Sequence, residues 1–126
     1  MTETATVLLP LPPRILSPNC PPGTRGGRFA RAAASKKYKQ RAIDATEELD
    51  VSPPWEQCTV KAFFYHKIER RRDDVNHLAM LKAAYDGCVI GGLVVDDDSE
   101  HLTTLPCEFH KDTKNPRVEL LFTRIK

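Results

Sequence analysis

Residues 58–92 read CTVKAFFYHKIERRRDDVNHLAMLKAAYDGCVIGG. The first part, Cys58–Ile68, is rich in β-branched and aromatic residues, which is typical of a β-strand. Alternation along this strand places Val60 and Phe64 on one face and Phe63 on the other. Because both faces are partly apolar, we expect this strand to lie inside a sheet.

The second part of the same stretch predicts an amphipathic helix. Its apolar residues recur at helical spacing, at Leu78, Leu81, Tyr85 and Val89. The helix is expected to begin near Asp74 to Asn76, where either residue is a good N-cap, because the side-chain oxygen accepts from free backbone N–H groups. It is expected to end at Gly91 and Gly92.

Upstream of this stretch, a long helix is predicted over Arg31–Leu49. Apolar residues form a stripe along one side of it, at Ala34, Tyr38, Ala42, Ala45 and Leu49. The chain before it is rich in proline and glycine, which predicts a basic loop over residues 14–30. The short segment Val7–Leu9 is predicted to form an edge strand, since proline is tolerated where a strand ends.

Downstream, three further segments are predicted to be strands. Leu93–Val95 is a short apolar strand, and His101–Glu108 and Val118–Ile125 read as two more. Asp112–Pro116 is predicted to be the hairpin loop between these last two. Pro106 is expected to place its strand at an edge or to interrupt its pairing, because proline has no N–H to donate.

Length and composition indicate one globular domain covering residues 1–126. The 126 residues are 40% apolar and 29% charged, and no internal repeat is evident. A domain of this size has little surface to bury, so dimerisation would add stability.

The charges are segregated along the chain although the net charge is only +2. Seven cations and no acid lie between Arg25 and Arg41. The candidate nucleic-acid-binding residues are Lys36, Lys37, Lys39, Arg41, Arg70, Arg71 and Arg72. Two alternatives stay open for the first group: a solvated charged helix face, or RNA binding through residues 25–41.

Cysteines and apolar segments bear on the cellular environment. The four cysteines are widely scattered with no C-x-x-C pair, so we expect reduced thiols. The residues His101, Cys107 and His110 lie close in sequence but indicate a zinc site only weakly. Pro10 breaks the apolar start, which lacks the features of a signal peptide, and no apolar stretch is long enough to span a bilayer. We therefore expect a cytoplasmic protein.

Two groups of carboxylates flank the predicted helix and the strand after it. Asp73 and Asp74 precede the helix, and Asp96–Asp98 follow the strand. If that strand packs beside the helix, the carboxylates can meet and bind Mg²⁺, which prefers oxygen ligands. Bound Mg²⁺ activates water for phosphodiester hydrolysis. The alternative is structural, with the first pair as helix caps and the later run as a solvated turn.

The order of residues from Arg71 to Asp98 resembles the RusA family of Holliday-junction resolvases. The family pattern is an arginine-rich lead, Asp-x-Asp-Asn-Leu, a lysine, an Asp-Ala or Asp-Gly pair, a glycine and a closing Asp-Asp. The matching residues here are Arg71-Arg72-Asp73-Asp74-Val75-Asn76-His77-Leu78, Lys82, Asp86-Gly87, Gly92 and Asp96-Asp97-Asp98. The segment Leu9–Pro13 also resembles the family's Leu-Pro-x-Pro-Pro element, so the similarity spans nearly the whole chain.

The resemblance implies an α+β fold, in which a small mixed four-stranded β-sheet packs against two main α-helices. It also implies a homodimeric, Mg²⁺-dependent endonuclease, with Mn²⁺ as a possible substitute. The implied substrate is a Holliday junction or other branched DNA in phage or prophage recombination and repair. Two-fold symmetry would present equivalent sites to two equivalent strands.

Residue roles follow from the same resemblance. It implies catalytic roles for Asp74, Asn76, Lys82 and Asp97, with Asp74, Asn76, Asp96 and Asp97 as metal ligands. Lys82 would stabilise negative charge on the phosphate or leaving oxygen. Its alternative role is that of a helix lysine extending its ammonium group to water.

The chain departs from the family pattern at two positions. Asn76 stands where the family has its second aspartate, and His77 stands where it has asparagine. A neutral amide oxygen binds Mg²⁺ more weakly than a carboxylate, so Asp73, Asp96 or Asp98 would have to supply the missing charge. His77 could instead bring a nitrogen that tolerates Mn²⁺, or be an ordinary hydrogen-bonded helix residue. The alternative function is a branched-DNA-binding protein with weakened catalysis.

Overall fold

A mixed β-sheet forms the centre of the protein, which is described by a computed structural model over residues 3–20, 23–70 and 72–126. The strands are β1 (Thr4–Leu9), β2 (Cys58–His66), β3 (Leu102–Thr104), β4 (Glu108–Lys111) and β5 (Arg117–Arg124). The α-helices are α1 (Arg25–Glu48), α2 (Asp74–Ala79) and α3 (Lys82–Ile90). A short 3₁₀ turn lies at Arg14–Leu16.

The strand order is β1-β5-β2, with β3 and β4 sharing the far side of β2. β5 is antiparallel to both neighbours, whereas β3 and β4 run parallel to β2. The five strands therefore occupy four positions in a mixed sheet. The α+β fold class, the inner position of β2 and the edge strand at the amino terminus are confirmed.

Alternation along the strands creates a buried face that forms the core. On β2 the side chains of Val60, Ala62 and Phe64 are at most 1% exposed, while the residues between them are half-buried. β5 adds three fully buried side chains, at Val118, Leu120 and Phe122. Leu81 and Tyr85 join this core from the second half of the molecule, as their helical spacing predicts.

Small residues allow α1 and α3 to pack closely. A Cβ on Gly87 would lie 2.5 Å from the Lys39 carbonyl oxygen and 2.7 Å from the Ala42 Cβ. One helical turn later, a Cβ on Gly91 would lie 2.8 Å from the Thr46 Cβ. Glycine is therefore required at both positions, because any side chain would push the helices apart.

The long helix begins earlier than predicted. α1 starts at Arg25 rather than Arg31, because the Thr24 hydroxyl caps it by accepting from Gly27 N at 3.0 Å. The predicted loop over residues 14–30 is therefore wrong from Arg25 onward. Leu49, which is expected on the apolar stripe, follows the last helical residue and is 37% exposed.

The predicted helix after Asp74 is two helices. α2 ends at Ala79, and Leu81 N donates to Leu78 O, three residues back, instead of four residues back as in an α-helix. The N-cap is Asp73, one residue before the predicted range, since its carboxylate accepts from the N–H groups of the second and third helical residues. The predicted end is confirmed: α3 stops before Gly91, and Gly92 has φ +91°.

The carboxy-terminal third differs most from prediction. Leu93–Val95 is not a strand: only Val94 forms a single bridge, with Trp55. Pro106 interrupts the predicted strand, which splits into β3 and β4, so the proline's expected effect is confirmed. Residues 112–116 do not close a hairpin, because β4 and β5 lie on opposite sides of β2.

Two expectations concern the whole chain. All four cysteines are free thiols, and Cys58 and Cys88 are buried. Within residues 3–20, 23–70 and 72–126, no helix has the length and apolar character needed to cross a bilayer.

Candidate active site

Lys82 links two carboxylates at the start of α3. Its Nζ lies 2.6 Å from Asp97 Oδ2 and 3.0 Å from Asp86 Oδ1. Asp86 is one helical turn after Lys82, whereas Asp97 comes from the loop that follows α3. The structure therefore brings together Lys82 and Asp97, two residues that the family pattern singles out.

The backbone of Trp55 holds the Asp97 loop in place. Trp55 N donates to Leu93 O at 2.9 Å, and Val95 N donates to Trp55 O at 3.0 Å. Leu93 and Val94 are fully buried and anchor the loop in the core. The Asp97 side chain is only 19% exposed as a result, so its carboxylate has a fixed position.

The bridge also sets the charge states of its members. The hydrogen bond from Lys82 holds the pKa of Asp97 below its usual range. The same bond, with that to Asp86, raises the pKa of Lys82. Both groups are therefore charged at neutral pH, which suits an ammonium that acts as an electrostatic donor rather than as a base.

The neighbouring aspartates have local structural contacts. Asp96 Oδ1 accepts from Asp97 N at 2.7 Å. Asp98 Oδ1 accepts from the backbone of Glu100 and His101, and lies 2.6 Å from His101 Nδ1. The hydrogen bond from His101 lowers the pKa of Asp98. These contacts shape the turn that presents Asp97.

Asp74 connects α2 to the segment between β3 and β4. Its Oδ1 accepts from Cys107 N at 2.6 Å in a part-buried position. Burial and the adjacent Asp74 raise the pKa of the Cys107 thiol to about 12, so this cysteine stays protonated. A carboxylate has about four acceptor positions, so the bond to Cys107 leaves Asp74 further capacity.

Asn76 and His77 are engaged by Asp73 at the start of α2. Asn76 Nδ2 donates to Asp73 Oδ2 at 3.0 Å, which leaves the amide oxygen of Asn76 available. His77 Nδ1 lies 2.7 Å from Asp73 O. The ring of His77 packs edge-on against Phe64 and Phe109, each with its centroid 4.8 Å away.

The Lys82 bridge places two carboxylates, the kind of ligand that Mg²⁺ prefers, on either side of one ammonium group. Mg²⁺ is commonly held by one or two carboxylates, with waters and substrate phosphates completing the octahedron. Asp86 and Asp97 provide two carboxylates that already converge on one cationic atom. Across the described ranges, no three side chains of His, Cys, Asp or Glu gather closely enough to hold an ion by themselves. Asp86 was absent from the predicted ligands, although its spacing of four residues from Lys82 could have indicated it.

A cleft of about 640 Å³ lies beside this bridge, between α1 and the start of α3. Lys82 and Asp86 line one side. Arg28 and Arg31 line the side formed by α1, and Arg31 Nη2 donates to Ser17 O at 2.7 Å. These two arginines are absent from the candidate nucleic-acid-binding residues. Arg28 falls in the loop predicted through residue 30, whereas Arg31 is the first residue of the predicted helix and its position in the cleft depends on tertiary packing.

The predicted cations of α1 occupy other positions. Lys37 and Arg41 line a second cleft of about 440 Å³ with Tyr38 and the proline segment. Lys36 is exposed and Lys39 is half-buried. Among the described residues, no cation between Arg25 and Arg41 forms a salt bridge, so their positive charge is uncompensated by close carboxylates.

The second predicted basic group lies after β2. Arg72 is half-buried and donates to Ile68 O at 2.8 Å, and Arg70 is exposed. Arg71 lies outside the described residues. Burial and the positive charge of Arg72 lower the pKa of His66 to about 4, so this histidine is neutral at physiological pH.

The comparisons with known proteins add no support to the RusA resemblance, which depends on the order of residues in the sequence. No model of a known protein family matches the chain. A comparison with curated proteins also found no significant match. The resemblance to the RusA family therefore stays a prediction from the order of residues in 9–13 and 71–98.

Proposed function

We propose that the protein is a Mg²⁺-dependent endodeoxyribonuclease that cleaves Holliday junctions or other branched DNA. The observation that carries this proposal is the Lys82 bridge between Asp86 and Asp97, at the edge of an arginine-lined cleft. Carboxylates for a hard cation, an ammonium for a phosphate and arginines for the backbone lie within one small region. Metal-assisted phosphodiester hydrolysis can use all three.

Each side chain has a chemical task in this proposal. A bound divalent ion supplies an activated water and polarises the phosphodiester. Asp86 and Asp97 would hold that ion through their carboxylate oxygens. Ligand roles for Asp74, Asn76 and Asp96 are implied by the family resemblance alone, since no three side chains of His, Cys, Asp or Glu gather among the described residues. Lys82 donates to the phosphate or to the leaving oxygen, where negative charge develops.

The substrate and the assembly follow from charge and symmetry. The unpaired cations of α1 attract DNA over a long range, and neutralised phosphates would make binding strongly dependent on salt. We propose a homodimer, which presents two equivalent sites to the two cleaved strands of a junction. Recombination and repair in the cytoplasm of a bacterial or phage-infected cell is the corresponding setting.

The test is a cleavage assay on a fluorescently labelled four-way junction and on a linear duplex with the same arm sequence. Each substrate is incubated with Mg²⁺, Mn²⁺ or EDTA. We expect nicking of the junction alone and only with metal, whereas Asp97→Asn binds the junction without cutting it. Glu100→Gln is the matched control, because it removes one exposed carboxylate from the same loop.

A second function has one specific observation in its favour. The amide of Asn76 replaces the family's second aspartate and is bonded to Asp73, so the site has one carboxylate fewer. A branched-DNA-binding protein with weakened catalysis would have this feature. If wild type and Asp97→Asn bind the junction equally and neither cuts it with any metal, this function replaces the nuclease.

A further inference from the structure

Helix α1 extends well beyond its contact with α3. It has 24 residues, a length of about 36 Å, whereas α3 has nine residues and spans about 14 Å. The tight contact at Gly87 and Gly91 involves residues 39–46 of α1. The first half of α1 therefore continues past the shorter helix with its inner side uncovered by α3.

In the first half of α1, the side that would otherwise pack against another helix is polar instead of apolar. Ala42 packs against α3, and steps of seven residues toward the amino terminus lead from Ala42 to Ser35 and to Arg28 on the same side. Arg31 belongs to this side too, and all three line the cleft opposite Lys82. This side of α1 therefore carries a small, buried residue in the second half of the helix and two arginines in the first half.

The two arginines have the chemistry of a phosphate site. Arg31 is half-buried and anchored through Nη2 to Ser17 O, so its planar guanidinium is ordered while its remaining N–H groups are available. With Lys82, the cleft lining holds three cations and a single carboxylate, that of Asp86. The rest of the lining is largely apolar, as at Met80, which suits a deoxyribose beside a phosphate.

We propose that Arg28 and Arg31 bind a backbone phosphate of the DNA next to the one that Lys82 contacts. This inference rests on the proposed function, since it assigns the path of the DNA strand at the same site. The strand runs along the first half of α1 into the Asp86 and Asp97 carboxylates. The other cations of α1 supply only long-range attraction.

The experiment measures binding of the labelled four-way junction by fluorescence anisotropy in EDTA, over a series of salt concentrations. Arg31→Gln is compared with Lys114→Gln, which removes the same charge from the exposed loop between β4 and β5. We expect Arg31→Gln to weaken binding by about tenfold, as for the loss of a charged hydrogen bond. We also expect it to reduce the slope of log K against log salt by about 0.9, the value for one phosphate. Lys114→Gln is expected to weaken binding by less than about twofold and to keep the slope.

Arg28→Gln serves as a second variant, because Arg28 is exposed and its loss leaves the Arg31 contact with Ser17 intact. Equal effects of the Arg31 and Lys114 substitutions, with no effect of Arg28→Gln, would overturn the inference. So would a wild type that does not bind the junction. If the arginine variants bind weakly but the wild type never cuts, the phosphate site is supported and the nuclease activity is refuted. If the wild type cuts, and both arginine variants bind and cut as well as the wild type does, the nuclease activity is supported and the phosphate site is refuted.

Discussion

Replacement of Gly87 by alanine should separate the packing of α1 and α3 from ordinary helix propensity. The new Cβ would lie 2.5 Å from Lys39 O and 2.7 Å from Ala42 Cβ. Comfortable contacts of this kind are about 3.5–4.0 Å, so both are too short by about 1 Å. Neither neighbouring atom can rotate away, since one is a helix carbonyl and the other a Cβ, and α1 must move as a whole.

The two contributions to the free energy of unfolding oppose each other. Alanine in a helix interior gains about 0.5–1 kcal/mol over glycine. An overpacked contact costs about 1–3 kcal/mol, and rigid neighbours favour the upper end. We therefore expect Gly87→Ala to lower the free energy of unfolding by about 2 kcal/mol, equivalent to a fall in Tm of about 8 °C for a chain of this size.

Urea unfolding followed by circular dichroism measures this change. Gly26→Ala is the matched control, because its Cβ would meet nothing closer than Thr24 Oγ1 at 3.9 Å. That substitution should raise the free energy of unfolding by about 0.5 kcal/mol, so the two variants shift the midpoint in opposite directions. The reasoning would be refuted if Gly87→Ala were as stable as the wild type or if both variants shifted the same way.

Two further substitutions test the surroundings of the site. The pKa of His66 is lowered to about 4, so the unfolded chain takes up a proton that the folded protein does not. The free energy of unfolding should fall as pH drops from about 6.5 toward 4, and His66→Phe should flatten this part of the profile in urea titrations; an unchanged profile would contradict the assignment. Asp74→Ala leaves the part-buried Cys107 N–H without its acceptor and should lower the free energy of unfolding by about 1–3 kcal/mol, whereas Asp74→Asn, which keeps an acceptor oxygen, should cost less. Equal urea midpoints for Asp74→Ala and wild type would show that this bond does not stabilise the fold.

Local patterns predicted the elements that local forces determine. The alternation in Cys58–Ile68 identified the inner strand, although only one of its two partly apolar faces is fully buried. The spacing of Tyr38 and Ala42 identified the buried side of α1. Gly91 and Gly92 marked the end of α3, since glycine at such a position is a direct stop signal.

Features that depend on tertiary contacts could not be predicted. The helical spacing continues without interruption through Leu81, yet the chain tightens there and forms two helices. The apolar run Leu93–Val95 has the composition of a strand, but it is used to anchor a loop on Trp55. Composition does not distinguish one helix from two, or a strand from an anchored loop, because both structures in each case bury the same side chains.

The candidate site also contains some residues that the sequence could identify and others that it could not. Lys82 and Asp97 could be selected from residue order alone, and the structure joins them across fifteen positions of sequence. Arg28 could not be selected, because the glycines near it favoured a loop, and nothing in the sequence places Arg31 on the same side of the helix as the site. The packing of α1 against α3 is what brings these two arginines opposite Lys82.

Single-turnover cleavage of a labelled four-way junction in Mg²⁺ by wild type and by Lys82→Gln tests the central claim most directly. We predict that the wild type introduces paired nicks. At saturating protein, Lys82→Gln still binds the junction but cuts it at least about a hundredfold more slowly, as for loss of a donor to developing charge. A wild type that leaves the junction intact with every metal, or a variant that cuts at the wild-type rate, would contradict the proposed role of the Lys82 bridge.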